Sequence, residues 1–308
     1  MEERNQTHVK EFIFNGFTSN EKSKTVLFTF FLVIYSLTLI SNSSIIMLVW
    51  SNTSLHKPMY IFLGNLSFLE ICFTTSTVPK MLSGLLSKVN SISFEGCFLQ
   101  FYFFFGYGSA EHYLLTVMGY DRYLAICHPL RYNTLMSNYK CCIFAASCWI
   151  IGFIWTLVPI TLISTMSFCG PNKINHFLCD PGPLMELTCD RSYSLELTIT
   201  VYISVLLFIT SSCTFISYAF IIRTILKIPS ASGRRKAFST CASHLIVVSI
   251  FFGTIMYMYV RPPGSHPFPT DKVVAVFYSV VTPFMNPVIY SLRNKEVLDV
   301  IKKMMRSS

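Results

Sequence analysis

The chain has 308 residues, 52% of them hydrophobic, 15% aromatic and only 13% charged, with a mean hydropathy of +0.52. A soluble domain carries about twice that charged fraction, so the composition excludes a water-soluble globule, a disordered chain or a coiled coil and points to a membrane protein. The net charge of +9 suggests nucleic acid only until the charges are placed along the chain.

The first 24 residues hold four acids, four bases and no apolar run, so no cleavable signal is read there. Five stretches without Asp, Glu, Lys or Arg follow: 25–56, 141–172, 197–222, 237–260 and 273–292. Two more, 58–79 and 96–120, are each interrupted by a single acid, Glu70 and Glu111. Crossing a bilayer takes about 20 mostly apolar residues. The runs are continuous rather than alternating ten-residue segments, which favours helices over a barrel. The expectation is one all-α domain of seven transmembrane helices, over about 25–50, 58–82, 97–123, 140–164, 194–226, 237–260 and 272–292. The first helix is expected to double as a signal anchor. Beyond it all, residues 293–308 form a tail in which Val297, Leu298, Ile301, Met304 and Met305 recur at helical spacing between Lys302, Lys303 and Arg306, the pattern of an interfacial helix.

Basic residues set the orientation. With the N-terminus outside, the inner segments hold 14 bases, among them Arg122, Arg131, Lys140, Arg234, Arg235 and Lys236, against three acids, Asp121, Glu296 and Asp299. The outer segments balance at nine of each, and Lys80 with Glu70, Glu111 and Glu196 leaves −2 within the spans. The whole positive excess therefore lies on one side. It marks topology, not a nucleic-acid surface.

The same topology sorts the 11 cysteines. Cys97, Cys169, Cys179 and Cys189 face the oxidising side, where disulfides persist, and four cysteines allow three pairings that spacing does not resolve. The other seven are expected as free thiols. Of the glycosylation sequons, Asn5-Gln6-Thr7 alone lies in an accessible outer tail; those at Asn42, Asn52 and Asn65 fall in spans or on the inner side.

Polar groups inside the membrane are costly, at about 2.5–3.5 kcal/mol for an acid, and mark candidate sites. Glu70 and Glu111 sit at similar depth. Two facing carboxylates share a proton or a cation, so the pair reads equally as a sodium or proton site or as two protonated acids hydrogen-bonded to neighbours such as Asn42, Asn65, Asn286 or Ser243. His112 reads as a satisfied histidine rather than a metal ligand, and His176 near Cys179 and Asp180 likewise. At the inner end of the third span, Asp121-Arg122-Tyr123 sets a permanent cation at the membrane edge, with Asp121 as its expected partner. In the seventh, Pro283 and Pro287 predict a kink, with Tyr290 one turn later.

Long motifs in order complete the pattern: Leu55-His56-Lys57-Pro58-Met59-Tyr60; Met118-Gly119-Tyr120-Asp121-Arg122-Tyr123-Leu124-Ala125-Ile126-Cys127; Ser217-Tyr218; Lys236-Ala237-Phe238-Ser239-Thr240-Cys241-Ala242-Ser243-His244-Leu245; and Pro283-Phe284-Met285-Asn286-Pro287-Val288-Ile289-Tyr290-Ser291-Leu292-Arg293-Asn294. Together they resemble the vertebrate odorant receptors among the rhodopsin-like G-protein-coupled receptors. Ser41, Gly119, Glu70 and Phe252 depart from the usual glycine, alanine, aspartate and tyrosine of that family.

The resemblance implies a Cys97–Cys179 bridge with Cys169–Cys189 inside the outer loop, and it turns Glu70 and Glu111 toward an allosteric sodium ion, the sole cofactor expected. It implies an odorant pocket lined by Phe104, Phe105, Gly108, Ser109, Tyr202, Ile203, Leu206, Ile255, Tyr259 and Ser279. That set is largely apolar and carries no full charge, which suits a small neutral lipophilic ligand. Asp121, Arg122, Tyr123, Tyr218, Pro287 and Tyr290, with basic Arg234, Arg235 and Lys236, would serve activation of a stimulatory olfactory G protein and a rise in cyclic AMP. The expected place is the plasma membrane, crossed several times, with lipid as a further partner. The rival readings are an ion-coupled transporter using Glu70 and Glu111, disfavoured by the lack of internal repeats, and a membrane enzyme, for which no HExxH, GxSxG or P-loop motif is present.

Overall fold

The computed structural model describes residues 9–17, 20–169, 172–189, 192–262, 270–293 and 297–300, without the side chains of Lys236, Thr240, Ser291, Leu292 and Arg293. Within them, long helices run as α1 (Glu21–Ser51), α2 (Pro58–Thr75) continued by α3 (Val78–Leu86), α4 (Phe94–Cys127), and, after the short α5 (Tyr132–Leu135), α6 (Asn138–Ser164). Past the short α7 (Pro181–Met185) come α8 (Tyr193–Leu226) and α9 (Ala231–Tyr259). The seventh rod is composite: α10 (Asp271–Val276), a π-helical turn (Phe277–Val281) and α11 (Thr282–Arg293). Six of these rods are long and apolar enough to cross a membrane; α4, which carries Glu95, Gln100, Glu111, His112 and Asp121, is 34 residues long and forms the central post against α2, α6, α8 and α9. The result is a seven-helix bundle.

Polar side chains start the helices where the sequence supplies them. Asn20 accepts from the Lys22 and Ser23 amides, and Ser93, Ser137 and Ser230 cap α4, α6 and α9 in the same way. The second rod is not continuous, as the sequence suggested over 58–82, but breaks at Ser76–Thr77. Pro79 at the start of α3 brings no N–H to the ladder. The Ser76 carbonyl beside the break instead accepts from Gln100 Nε2 of α4, at 3.3 Å.

The same device recurs at Pro159 and Pro287. Pro159 inside α6 leaves the Trp155 carbonyl without its helical donor, and Tyr202 Oη of α8 donates to it at 3.1 Å. Pro287 inside α11 frees the Pro283 carbonyl, which accepts from Asn42 Nδ2 of α1 at 3.2 Å. Backbone groups inside a bilayer need partners from the protein, and each of these comes from a different helix.

At one end a three-stranded sheet caps the bundle. Strand β1 (Glu11–Phe14) lies between β2 (Ser91–Ser93), antiparallel with Glu11 opposite Ser93, and β3 (Lys173–Ile174), parallel with Ile13 opposite Lys173. Phe12 and Phe14 bury their rings beneath it. Gly16, at φ +60°, turns the chain from the strand toward α1 in a conformation that suits glycine. Lys80 Nζ donates to the Ser91 carbonyl and Glu196 lies in the first turn of α8, so both belong to this sheet end rather than to mid-membrane. Glu70 and Glu111 remain the deeply buried acids of the helix interior.

Candidate ligand-binding site and its polar relays

Disulfides hold the long segment between α6 and α8 over the bundle. Cys97 at the head of α4 is joined to Cys179, and Cys169 to Cys189. Of the three pairings open to the sequence, this is the one the resemblance implied. The remaining seven cysteines are free. Gln100, one turn below Cys97, accepts from the Cys179 amide at 3.1 Å through Oε1 while its Nε2 holds the break after α2.

Next to the bridge, Asp180 enters the bundle. Its Oδ1 accepts from the Gly182 amide, capping α7, and its Oδ2 accepts from Tyr259 Oη at 2.6 Å. Tyr259 is in turn 2.8 Å from Tyr278 Oη on the seventh rod. Burial pushes the Asp180 carboxyl up to about 6, outweighing the two hydrogen bonds that favour its charge. Burial, helped by nearby Lys272, holds His176 down at about 3, so its ring is neutral. Arg261 and Asp271 form a bidentate pair at 2.7 Å across the mouth. Asp180, His176, Tyr259, Arg261 and Asp271 line an outer cavity of about 480 Å³, together with Phe17, Glu186 and Glu196.

Below it lies a smaller inner cavity of about 60 Å³, which shares Ile203 and Tyr259 with the outer one. Eight of the ten expected lining residues meet there: Phe104, Phe105, Gly108, Ser109, Ile203, Leu206, Ile255 and Tyr259. Tyr202 and Ser279 are not in its wall. Tyr202 turns outward to stack on Trp155 at 4.4 Å and bond its carbonyl, and the Ser279 hydroxyl bonds the Ala275 carbonyl on its own helix. The wall also includes Phe73, Phe101, His112, Trp155, Thr156, Pro159, Leu207 and Tyr278, which sequence reasoning missed. Two of them were within reach. Phe101, Phe104, Phe105, Gly108 and Ser109 form one helical stripe, and a further turn along it arrives at His112.

In the cavity wall, the His112 ring packs against Phe251 and Phe252, with centroids 4.7 and 5.5 Å away. Deeper still, Glu70 Oε1 accepts from Asn286 Nδ2, and the Glu70 and Glu111 carboxyl groups face each other. Asn42 sits on the Pro283 carbonyl beside them, whereas Asn65 bonds only the Ile61 carbonyl of its own helix. Glu70 Oε2, Glu111 Oε1, Asn42 Oδ1 and Asn286 Oδ1 are buried oxygens without a hydrogen-bond partner. A group of unsatisfied oxygens with two carboxyls fits a hard monovalent cation. Among the described residues no cluster of three His, Cys, Asp or Glu side chains would hold a metal ion.

At the end opposite the sheet, Asp121 does not pair with Arg122. Adjacent residues on a helix point about 100° apart, and the Asp121 carboxylate instead accepts from Tyr132 Oη of α5 at 2.7 Å. Arg122 keeps Nη2 buried without a hydrogen-bond partner, and so does the hydroxyl of Tyr290. Tyr218 Oη lies 2.7 Å from His244 Nδ1, and the His244 ring is 6.4 Å from that of Tyr290. Tyr123 Oη pairs with His128 Nε2 at 3.0 Å. Arg234 folds back onto the Ile228 and Pro229 carbonyls while Arg235 is exposed. The Lys236 side chain, Asn5 and most of the amphipathic tail lie outside the described residues.

A bundle of seven helices with a disulfide-held lid, an internal apolar cavity and a buried arginine at the far end is the architecture of a G-protein-coupled receptor. A profile of the olfactory receptor family matches residues 31–308. The chain is 52% identical to human Olfactory receptor 11G2, over 95% of this chain and 85% of that one. It is 48% identical to human Olfactory receptor 11H6, over 98% and 92%, and 46% identical to mouse Olfactory receptor 6B9, over 97% and 95%. The chain belongs to the olfactory receptor family. It is therefore a multi-pass membrane receptor for odorants that couples to a heterotrimeric G protein; it is not an enzyme, and the transporter reading falls away.

Proposed function

We propose that the odorant is a small, neutral, lipophilic molecule held in the inner cavity, with the sheet end facing outside the cell and the opposite end inside. The observation that carries this reading is the lining itself: rings and aliphatic side chains with a few polar atoms, and no acid, lysine or arginine among them. A carboxylate would leave an unpaired charge among phenyl rings. The outer cavity, with its acids and its Arg261–Asp271 pair, is the entry chamber, and Tyr259 stands between the two. In the closed structure the inner space holds only a few heavy atoms. A full-sized odorant therefore binds a form in which rings such as Phe104, Phe105 or Tyr259 have turned, and its tighter binding to that form shifts the population.

The shifted state separates the inner ends of α4 and α9. Arg122, already lacking a partner for Nη2, then meets the G protein, with Tyr218 and Tyr290 rearranging around it and Arg235 adding charge at the rim. The effector is the stimulatory olfactory type, and the readout is cyclic AMP. Arg122→Ala is expected to abolish odorant-evoked cyclic AMP at equal surface expression; an unchanged response refutes the role given to Arg122. Activation by carboxylates in preference to neutral volatiles refutes the ligand class.

Glu70, Glu111, Asn42 and Asn286 would hold a sodium ion through their unpartnered oxygens. The ion would neutralise the paired acids and brace the inactive packing. Odorant potency in wild type is then lowered by sodium relative to an equal concentration of choline, and Glu111→Gln removes that difference. A wild-type response indifferent to sodium rules the ion out.

A further inference from the structure

The two ring nitrogens of His112 are not equivalent. Nδ1 lies 2.7 Å from the Gly108 carbonyl, one turn earlier on α4. A carbonyl oxygen only accepts, so Nδ1 carries the proton. No wall residue of the inner cavity bears a negative charge that would hold a second proton, so the ring is neutral and Nε2 presents a lone pair. That nitrogen is buried, in a side chain only 4% exposed, and it has no hydrogen-bond partner. Phe251 and Phe252 pack against the ring and offer no donor.

A second wall residue is unsatisfied in the opposite sense. Trp155 stacks on Tyr202 and its carbonyl is taken by the Tyr202 hydroxyl, yet its indole Nε1, a donor only, has no acceptor. The inner cavity thus carries one orphan acceptor on α4 and one orphan donor on α6, in a lining that is otherwise nearly all carbon. Ser109, on the same face of α4 as His112, adds a hydroxyl-bearing side chain to the wall.

We infer that the inner cavity is built for a hydroxyl-bearing ligand, a small alcohol or phenol, whose O–H donates to His112 Nε2 and whose oxygen accepts from Trp155 Nε1–H. The inference rests on the reading of this cavity as the odorant site and names the ligand class for it. A hydroxyl is the smallest neutral group that donates and accepts at one atom. A ketone, ester or ether answers Trp155 and leaves His112 unmet; a hydrocarbon answers neither. An amine or a carboxylic acid has both functions but is ionised at neutral pH.

The test uses the full chain in cells with a cyclic AMP readout. The probes are straight-chain primary alcohols from butanol to octanol, together with phenol and cresol. Each is paired with its methyl ether, and each alcohol also with the ketone of equal chain length. Alcohols or phenols are expected to act at concentrations about ten-fold lower than their matched ethers, the worth of one buried neutral hydrogen bond. His112→Phe keeps a ring in place and removes the acceptor. It should weaken the hydroxyl compounds about ten-fold more than their matched ethers and ketones. Trp155→Phe should weaken all the oxygenated probes together. That split separates recognition from a merely structural role for either ring, and labelling of a surface tag confirms equal delivery.

Ethers or ketones matching the hydroxyl compounds in wild type overturn the inference, as does silence of every alcohol and phenol. So does a His112→Phe receptor that loses potency equally for all probes. Gly108→Leu, which fills the cavity, tests the underlying reading separately. If it leaves every response intact, the odorant sits elsewhere and both readings fail. If it abolishes responses that show no preference for hydroxyl, only the ligand class fails.

Discussion

Asp180→Asn tests whether the lid segment carries a buried charge. Asp180 holds its protons to about 6, whereas the unfolded chain releases them near 3.8. Burial is the main cause. Because the folded pKa is raised, the folded state binds more protons than the unfolded one between these values. Stability therefore falls as pH rises through the window and stays flat above it. The separation of about two pH units amounts to about 3 kcal/mol, of which about 2 kcal/mol falls between about pH 4.5 and about pH 7.

In lipid nanodiscs the wild-type melting temperature should drop by about 4 °C over that range, at about 2 °C per kcal/mol for a chain of this size. Asp180→Asn keeps an oxygen for the Gly182 amide and carries no charge, so its curve should be flatter by nearly that amount. His176, held at about 3, stays neutral throughout, and groups common to both proteins cancel in the comparison. Arg261 and Asp271 remain paired in each. Equal pH slopes for wild type and Asp180→Asn would refute the reasoning, because the slope would then belong to other groups.

Gly152 marks the closest approach of α6 to α4: a Cβ there would lie 2.5 Å from the Ala110 amide nitrogen and 2.9 Å from its Cβ. Gly152→Ala should cost about 1–3 kcal/mol in a thermal melt and Gly152→Leu should stop surface delivery, whereas Gly253→Ala, with nothing within 4 Å, should leave both unchanged or slightly improved. For orientation, enzymatic deglycosylation should shift the wild-type band on a gel and leave Asn5→Gln unmoved; a wild type that does not shift counts against an outer N-terminus.

The seven rods were legible because hydrocarbon imposes a length, and the charge-free runs from 25–56 to 273–292 record it. The break in the second rod was less so. Pro79 lies inside an apolar run that hydropathy reads as continuous, and the break shows only once Gln100 is seen holding the Ser76 carbonyl. The cap of β1, β2 and β3 was hidden for another reason: its pairings join residues about 80 and 160 positions apart, and no local pattern carries that information. Asp121 was assigned to Arg122 from adjacency, though neighbours on a helix diverge, and the actual partner, Tyr132, comes from the short helix α5.

Within the cavity, Phe104, Phe105, Gly108 and Ser109 came from the family resemblance, and they share one face of α4. Trp155 did not, because which face of α6 turns inward depends on the bend at Pro159. His112 was the instructive case. A lone histidine on an apolar face is ordinarily satisfied, and this one is satisfied at Nδ1 and open at Nε2. That asymmetry is invisible to composition, motif and spacing alike.

The proline breaks connect these observations. Each leaves a carbonyl that the helix ladder cannot serve, and each is served by a side chain from another helix: Tyr202 for Trp155, Asn42 for Pro283, with Gln100 doing the same beside the Ser76–Thr77 break. A backbone donor is fixed to its helix, but a side-chain donor turns about single bonds, so a bend at these points costs less than one elsewhere in the ladder. Two of the three lie beside the sites argued above. The Tyr202–Trp155 pair backs the cavity wall, and Asn42 stands next to the Glu70–Asn286 pair. On the proposed reading, odorant in the cavity and an ion among the buried acids would both act on the helices at these side-chain-served carbonyls.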